Sequence, residues 1–275
     1  MKMKKSYIKP VVLFMILLLS ILVGCSTGAT DPKDETSFPS DSEGTSASTT
    51  VVSETLIPTP SPEPTILETS TPSTTQAEEI YEVADIWNGD VTRVQFGKYV
   101  WRVLSIEDGK ALLITENIVE KKVIHEVWKT TMWEDTDIRK YLNGDFYDGF
   151  TDDEKKLISE TKNKNPNNQW FDTEAGKDTT DKVFLLSLDE VVKYFGDSGQ
   201  LANKNPDNEN KIDDEYNTAR IAKYEDGTEG YWWLRTFGDN SASTAVVDYD
   251  GMIGVDGAFF ISEGGVRPAL WLKQE

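Results

Sequence analysis

The placement of the aromatic residues limits the fold more than any other feature. All eight tryptophans, and every one of the ten tyrosines except Tyr7, lie at or after Tyr81. Aromatic side chains bury the largest areas and dominate cores. A packed core is therefore confined to the later part of the 275-residue chain. From Ser26 to Thr75 the only aromatic residue is Phe38. Ser, Thr and Pro dominate there, as in Thr45-Ser46-Ala47-Ser48-Thr49-Thr50 and Pro58-Thr59-Pro60-Ser61-Pro62-Glu63-Pro64. Such a segment buries too little apolar surface to offset the entropy of ordering it. It reads as a disordered, proline-stiffened stalk, reaching between roughly 40 Å as a coil and about 150 Å as extended polyproline II. The chain divides into a leader at 1–24, a stalk at 25–79 and one globular domain at 80–275.

The leader carries Lys2, Lys4, Lys5 and Lys9, then an apolar run from Val11 to Gly24. At 1.5 Å per residue that run spans only ~21 Å, short of a ~30 Å hydrocarbon core. The pattern is that of a secretory signal. It ends in Leu22-Val23-Gly24-Cys25, which resembles a bacterial lipobox. The resemblance implies cleavage before Cys25, a diacylglycerol thioether on its sulfur, and a partner in the cell membrane, whose extracytoplasmic face would hold the protein.

One Cys and one His exclude an internal disulfide, a thiolate zinc cluster and HExxH metal sites. A net charge of −20 argues against nucleic acid and anionic lipid headgroups as partners.

Within the domain, Asp108-Gly109 separates two apolar runs and predicts a hairpin. Ile138, Tyr141 and Leu142 share one helix face, with Gly144 as a stop. Thr151…Glu154 and Ser187…Glu190 have capping-box spacing and open two further helices. Lys162–Thr180 and Gly196–Gly230 read as polar loops, and Val183–Leu186 as a strand. Strands follow at Tyr231–Thr236, Thr244–Tyr249, Met252–Val255 and Val266–Leu272, with Asp250-Gly251 and Asp256-Gly257 as turns. The order is α+β rather than alternating βαβ.

Tyr231-Trp232-Trp233-Leu234-Arg235 and Gly264-Gly265-Val266-Arg267-Pro268-Ala269-Leu270-Trp271-Leu272 carry a family likeness. So do Phe96–Leu104, Ile138–Gly144 and Asp181–Ser187. The chain resembles an uncharacterised domain of surface lipoproteins from Clostridia-like Firmicutes, known only as a domain of unknown function. Thr236-Phe237-Gly238 stands where that family usually has Ser-Pro-Gly. The terminal pattern is also similar to the C-type-lectin-like group. That likeness implies a single domain with its N- and C-terminal strands in one sheet, short helices and long polar loops.

No catalytic residue stands out. His125 lies beside no Gly-x-Ser-x-Gly motif, and among so many acids some carboxylate pair always qualifies for glycoside chemistry. No metal or cofactor is expected. Asp207–Glu215 is oxygen-rich but lacks the EF-hand alternation. Calcium at Asp248-Tyr249-Asp250 competes with ordinary turn chemistry. Strand alternation sends Trp232 and Trp233 to opposite faces. Trp232, Trp233, Arg235 and Arg267 read as structural, with one tryptophan in the core and both arginines in ion pairs. The candidate ligand residues are Trp170, isolated in a polar loop, with Asp239, Asn240, Asp248, Tyr249 and Asp250. The expectation is a lipid-anchored binding module for a glycan or a surface protein. The alternatives are a structural or interaction domain without a small ligand, and a carboxylate-based extracytoplasmic hydrolase.

Overall fold

The computed structural model describes residues 79–274. The leader, Cys25 and nearly all of the stalk expected from the sequence lie outside those residues. The described chain begins with β1 (Tyr81–Glu82) and a 3-10 turn at Val83–Trp87, followed by β2 (Arg93–Phe96), β3 (Tyr99–Glu107) and β4 (Lys110–Thr115). The turn between β3 and β4 is the expected Asp108-Gly109. Both residues have positive φ (50° and 70°), the geometry that matches the twist of the paired strands.

After β5 (Glu120–Lys122) comes α1 (Asp137–Tyr141), whose first turn is capped by the Thr136 hydroxyl accepting from the Arg139 N–H. Gly144 does not stop this helix. The chain continues as a π-helical stretch, Leu142–Phe146, with Gly144 bent out of helical geometry, and that bend turns Leu142 and Phe146 into the core. The capping box at Thr151 and Glu154 opens α2 (Asp152–Leu157), as its spacing predicts. The loop expected from Lys162 is partly ordered: after β6 (Ile158–Ser159), β7 (Thr161–Asn163) pairs with β8 (Thr179–Asp181). Val183–Leu186 is fully buried but forms only one bridge, Phe184 to Ala269, in place of a full strand. The second capping box, Ser187 with Glu190, starts α3 (Leu188–Phe195).

The remaining elements are β9 (Lys211–Ile212), α4 (Asn217–Arg220), β10 (Trp232–Phe237), β11 (Ser243–Val247), β12 (Ile253–Phe259), β13 (Gly264–Val266) and β14 (Ala269–Lys273). Asp256-Gly257 is not a turn. β12 runs through it with a shift of register against β11, and Gly257 takes φ +83°. A Cβ there would sit 2.0 Å from the Thr244 carbonyl oxygen, so the approach of β11 requires glycine.

The architecture is α+β, mostly sheet. One six-stranded sheet has the order β1-β2-β3-β4-β14-β6, and the other β5-β13-β10-β11-β12-β9. β14 therefore lies in the same sheet as β1, paired antiparallel to β4 in full register from Ala269–Ile114 to Lys273–Lys110. The central strands are apolar on both faces. On β4, Ala111 and Leu113 join one hydrophobic cluster while Leu112 and Ile114 join another. β10 divides likewise, with Trp233 and Phe237 in the first cluster and Trp232 and Leu234 in the second. Among the described residues no helix is long and apolar enough to cross a membrane.

Candidate functional site

β10 is structural along its whole length. Trp232 and Trp233 are both fully buried, so the core takes both and not one. Each indole N–H is satisfied, Trp232 donating to the Arg220 carbonyl (3.0 Å) and Trp233 to the Lys122 carbonyl (2.8 Å). Buried Arg235 forms the expected ion pair. Its two terminal nitrogens grip both oxygens of Glu190, Nη2 to Oε1 at 2.8 Å, and it also donates to the Leu185 and Lys164 carbonyls. Glu190 is the same carboxylate that closes the α3 capping box, accepting from the Ser187 N–H at 2.9 Å. One residue thus ties β10 to the start of α3.

Arg267 differs from the expected ion pair. It is fully buried, and among the described residues no carboxylate bridges it directly. Its guanidinium donates to the carbonyls of Thr115 (2.8 Å) and Glu116 (3.1 Å), and lies 5.0 Å from the Trp232 ring and 5.5 Å from Phe195. Burial, with repulsion from Arg102, pushes its pKa down to about 9. The Glu116 carboxylate is engaged by Arg102 and Arg93 instead. Burial alone would raise that carboxyl, but these hydrogen bonds hold it at about 2.

The candidate ligand residues do not form one site. Trp170 is half-buried against the second cluster, its indole N–H donates to the Leu201 carbonyl (2.8 Å), and Lys204 Nζ lies 4.9 Å from its ring. Packing accounts for it. Asp239 and Asn240 are exposed in the β10–β11 turn. Asp239 Oδ1 accepts from Ser243 Oγ (3.0 Å) and Asn240 Nδ2 (2.6 Å). Asp248, Tyr249 and Asp250 occupy the β11–β12 turn. Asp248 pairs with Lys211 (2.8 Å), Asp250 accepts from the Met252 N–H (3.1 Å), and Tyr249 is exposed. The five residues of β11 separate the two turns, roughly 17 Å at strand spacing, too far for both to close on one small ligand. The Trp170 loop belongs to the first end. Asn168 donates to the Phe237 (2.8 Å) and Val255 (2.9 Å) carbonyls, and Thr173 Oγ1 to the Gly238 carbonyl (2.8 Å). Among the described residues no three His, Cys, Asp or Glu side chains gather as a metal site.

A second exposed aromatic surface, besides Tyr249, was not expected from the sequence. Trp128 and Phe259 are 56% and 52% exposed, with ring centroids 5.0 Å apart at 58°. Val127 and Ile261, close to these rings in sequence, are also exposed. Hydrogen bonds between distant segments assemble this rim. Ile124 N donates to Phe260 O (2.9 Å), Phe260 N to Ala242 O (3.0 Å), and Ser241 Oγ to Thr130 Oγ1 (3.3 Å). The rim thus adjoins the Asp239–Asn240 turn. Behind it, buried His125 places Nδ1 2.7 Å from Asp137 Oδ2, and the Glu126 N–H donates to the same oxygen (3.1 Å). A signal was present in Phe259-Phe260-Ile261. Alternation lets only the middle residue face the core, and Phe260 is the buried one.

Fold and site together define an α+β domain with a solid two-faced core and an aromatic platform beside a polar turn. The chain belongs to the family described as Domain of unknown function (DUF6273), whose model matches residues 108–274. The match starts in the β3–β4 turn and ends just past β14. No curated protein and no solved structure matches the chain.

Proposed function

We propose that the protein is a binding module of the C-type-lectin-like kind, anchored to the extracytoplasmic face of the cell membrane by lipid on Cys25 and held away from it by its stalk. Its ligand is a glycan that stacks on Trp128 and Phe259. The observation that carries this reading is the exposed aromatic pair set against the Asp239–Asn240 turn. A pyranose has an apolar face that suits an indole ring. Its hydroxyls need nearby acceptors and donors: Thr130, two residues from Trp128, meets Ser241, and Asp239 and Asn240 precede Ser241 in the same turn. The aromatic pair supplies area, and the turn supplies orientation. Leu22-Val23-Gly24-Cys25 supports the anchor, and the Ser/Thr/Pro-rich segment supports the stalk.

The test is a glycan screen of the full chain in detergent, with calcium and with chelator, comparing unaltered protein with Trp128→Ala. A saturable hit lost in the variant supports the reading, and the chelator arm reports whether a cation takes part. A glycan hit that Trp128→Ala leaves intact moves the site elsewhere. No hit, from protein shown to be folded, favours a surface protein on the same patch, where Val127 and Ile261 would add apolar contact.

A further inference from the structure

A groove that shares no lining residue with the Trp128 platform lies between the tip of the β2–β3 hairpin and the turn at Tyr224–Thr228. The turn is closed by the Tyr224 N–H donating to the Thr228 carbonyl (2.8 Å) and by a bridge between Lys223 and Glu229. The segment after β4 forms the floor, fixed by the Ile118 N–H on the Lys223 carbonyl (2.9 Å) and the Val119 N–H on the Val266 carbonyl (3.0 Å). A cavity of about 500 Å³ opens there, with Lys98 and Tyr99 on one wall, Glu225 on the other, and Thr115, Asn117 and Ile118 between. A second cavity of about 540 Å³ shares Ile118, Val119 and Glu225 and continues to Tyr224 and Asp226.

Two features point to an occupant. Thr115 lines the first cavity, is 1% exposed, and its hydroxyl has no hydrogen-bond partner among the described residues. A buried hydroxyl left unpaired is costly, and native structures retain few. The second feature is the charge layout, with an ammonium on one wall, a carboxylate on the other and apolar Ile118 and Val119 between them. The rings here are already engaged. Tyr99 stacks on Phe146 (5.6 Å, 10°) with Lys98 Nζ 5.1 Å from its centroid, and Lys121 Nζ lies 4.8 Å from Tyr224. That arrangement suits a ligand carrying its own two charges better than a sugar needing a bare ring face. We propose that this groove binds a short peptide with charged ends, its carboxylate toward Lys98, its ammonium toward Glu225, and its backbone amides on the Thr115 hydroxyl and the Asn117 amide.

The test uses the full chain in detergent and saturation-transfer NMR with the tripeptide Ala-Val-Ala. The unblocked peptide should give a saturable signal. Blocking it as the N-acetyl, C-amide form should weaken binding about tenfold, as should Thr115→Val or Glu225→Gln, each removing one hydrogen-bonding or charge partner. Thr115→Val keeps the side-chain shape and removes an unpaired hydroxyl, so its thermal midpoint should hold or rise, and circular dichroism checks that. No saturable signal from the unaltered chain overturns the proposal. So does an affinity unmoved by blocking the peptide ends, or one unmoved by Thr115→Val.

Discussion

β10 and the rim beside it use tryptophan in opposite ways. Trp232 and Trp233 sit in adjacent positions of one strand, each fully buried in a different cluster with its N–H bonded to a carbonyl. Trp128 sits on an irregular segment, more than half exposed, against another exposed ring. The strand residues hold the domain together. The rim residue leaves a large apolar face in water. It is that exposure, on a segment pinned by its neighbours, on which the proposed binding role rests.

The comparison can be broken most directly on β10. Trp233→Ala should cost about 3–5 kcal/mol, as deletion of a buried aromatic does, and urea unfolding measures it. If the variant unfolds at nearly the unaltered urea midpoint, β10 is not the core. Glu190→Ala should cost about 3 kcal/mol, because it strands the buried Arg235 charge and opens the α3 capping box. Recovery of that stability in the double variant with Arg235→Met would assign the loss to the stranded charge. Acid sharpens the contrast from the other side. The Glu116 carboxyl is held at about 2 against an ordinary value of 4.5, so it contributes about 3 kcal/mol of stability at neutral pH. That contribution is complete above about 4.5 and disappears as pH falls toward 2. Glu116→Gln should flatten the stability curve across that window, and an unchanged slope would dissociate Glu116 from acid unfolding. Trp170→Ala should cost roughly 1–2 kcal/mol, from its half-buried ring and the bond to Leu201. The smallest effect is at the rim, where Trp128→Ala should shift stability by no more than about 0.5 kcal/mol.

Local chemistry was the legible part of this fold. Asp108-Gly109 and the capping boxes at Thr151 and Ser187 act through residues within four positions of one another, so the sequence displays each device whole. Asp256-Gly257 has the same letters as a turn. What makes it a bulge is the Thr244 carbonyl arriving from β11, which no local window contains. The burial of Trp232 together with Trp233 was hidden for the same reason, since alternation identifies two faces and only tertiary packing covers both. The acidic turns at Asp239 and Asp250 looked like one region because they are close in sequence, and β11 holds them apart. The Trp128 platform is not legible locally because its other ring, Phe259, and the Ser241 hydroxyl that meets Thr130 are more than a hundred residues away.

The position of β14 has a consequence for how the protein is made. This strand lies between β4 and β6, with β4 some 150 residues upstream. Until Ala269–Lys273 exist, the β4 edge has no antiparallel partner and the two-residue β6 has no strand to join. Synthesis or export from one end cannot lay the sheet down strand by strand. Closure waits for a late segment to find a distant slot, a slow kind of search. A nascent chain of this design stays open to proteases and to edge-on association. Truncation before Ala269 would remove the one strand that joins β4 to β6 in this sheet.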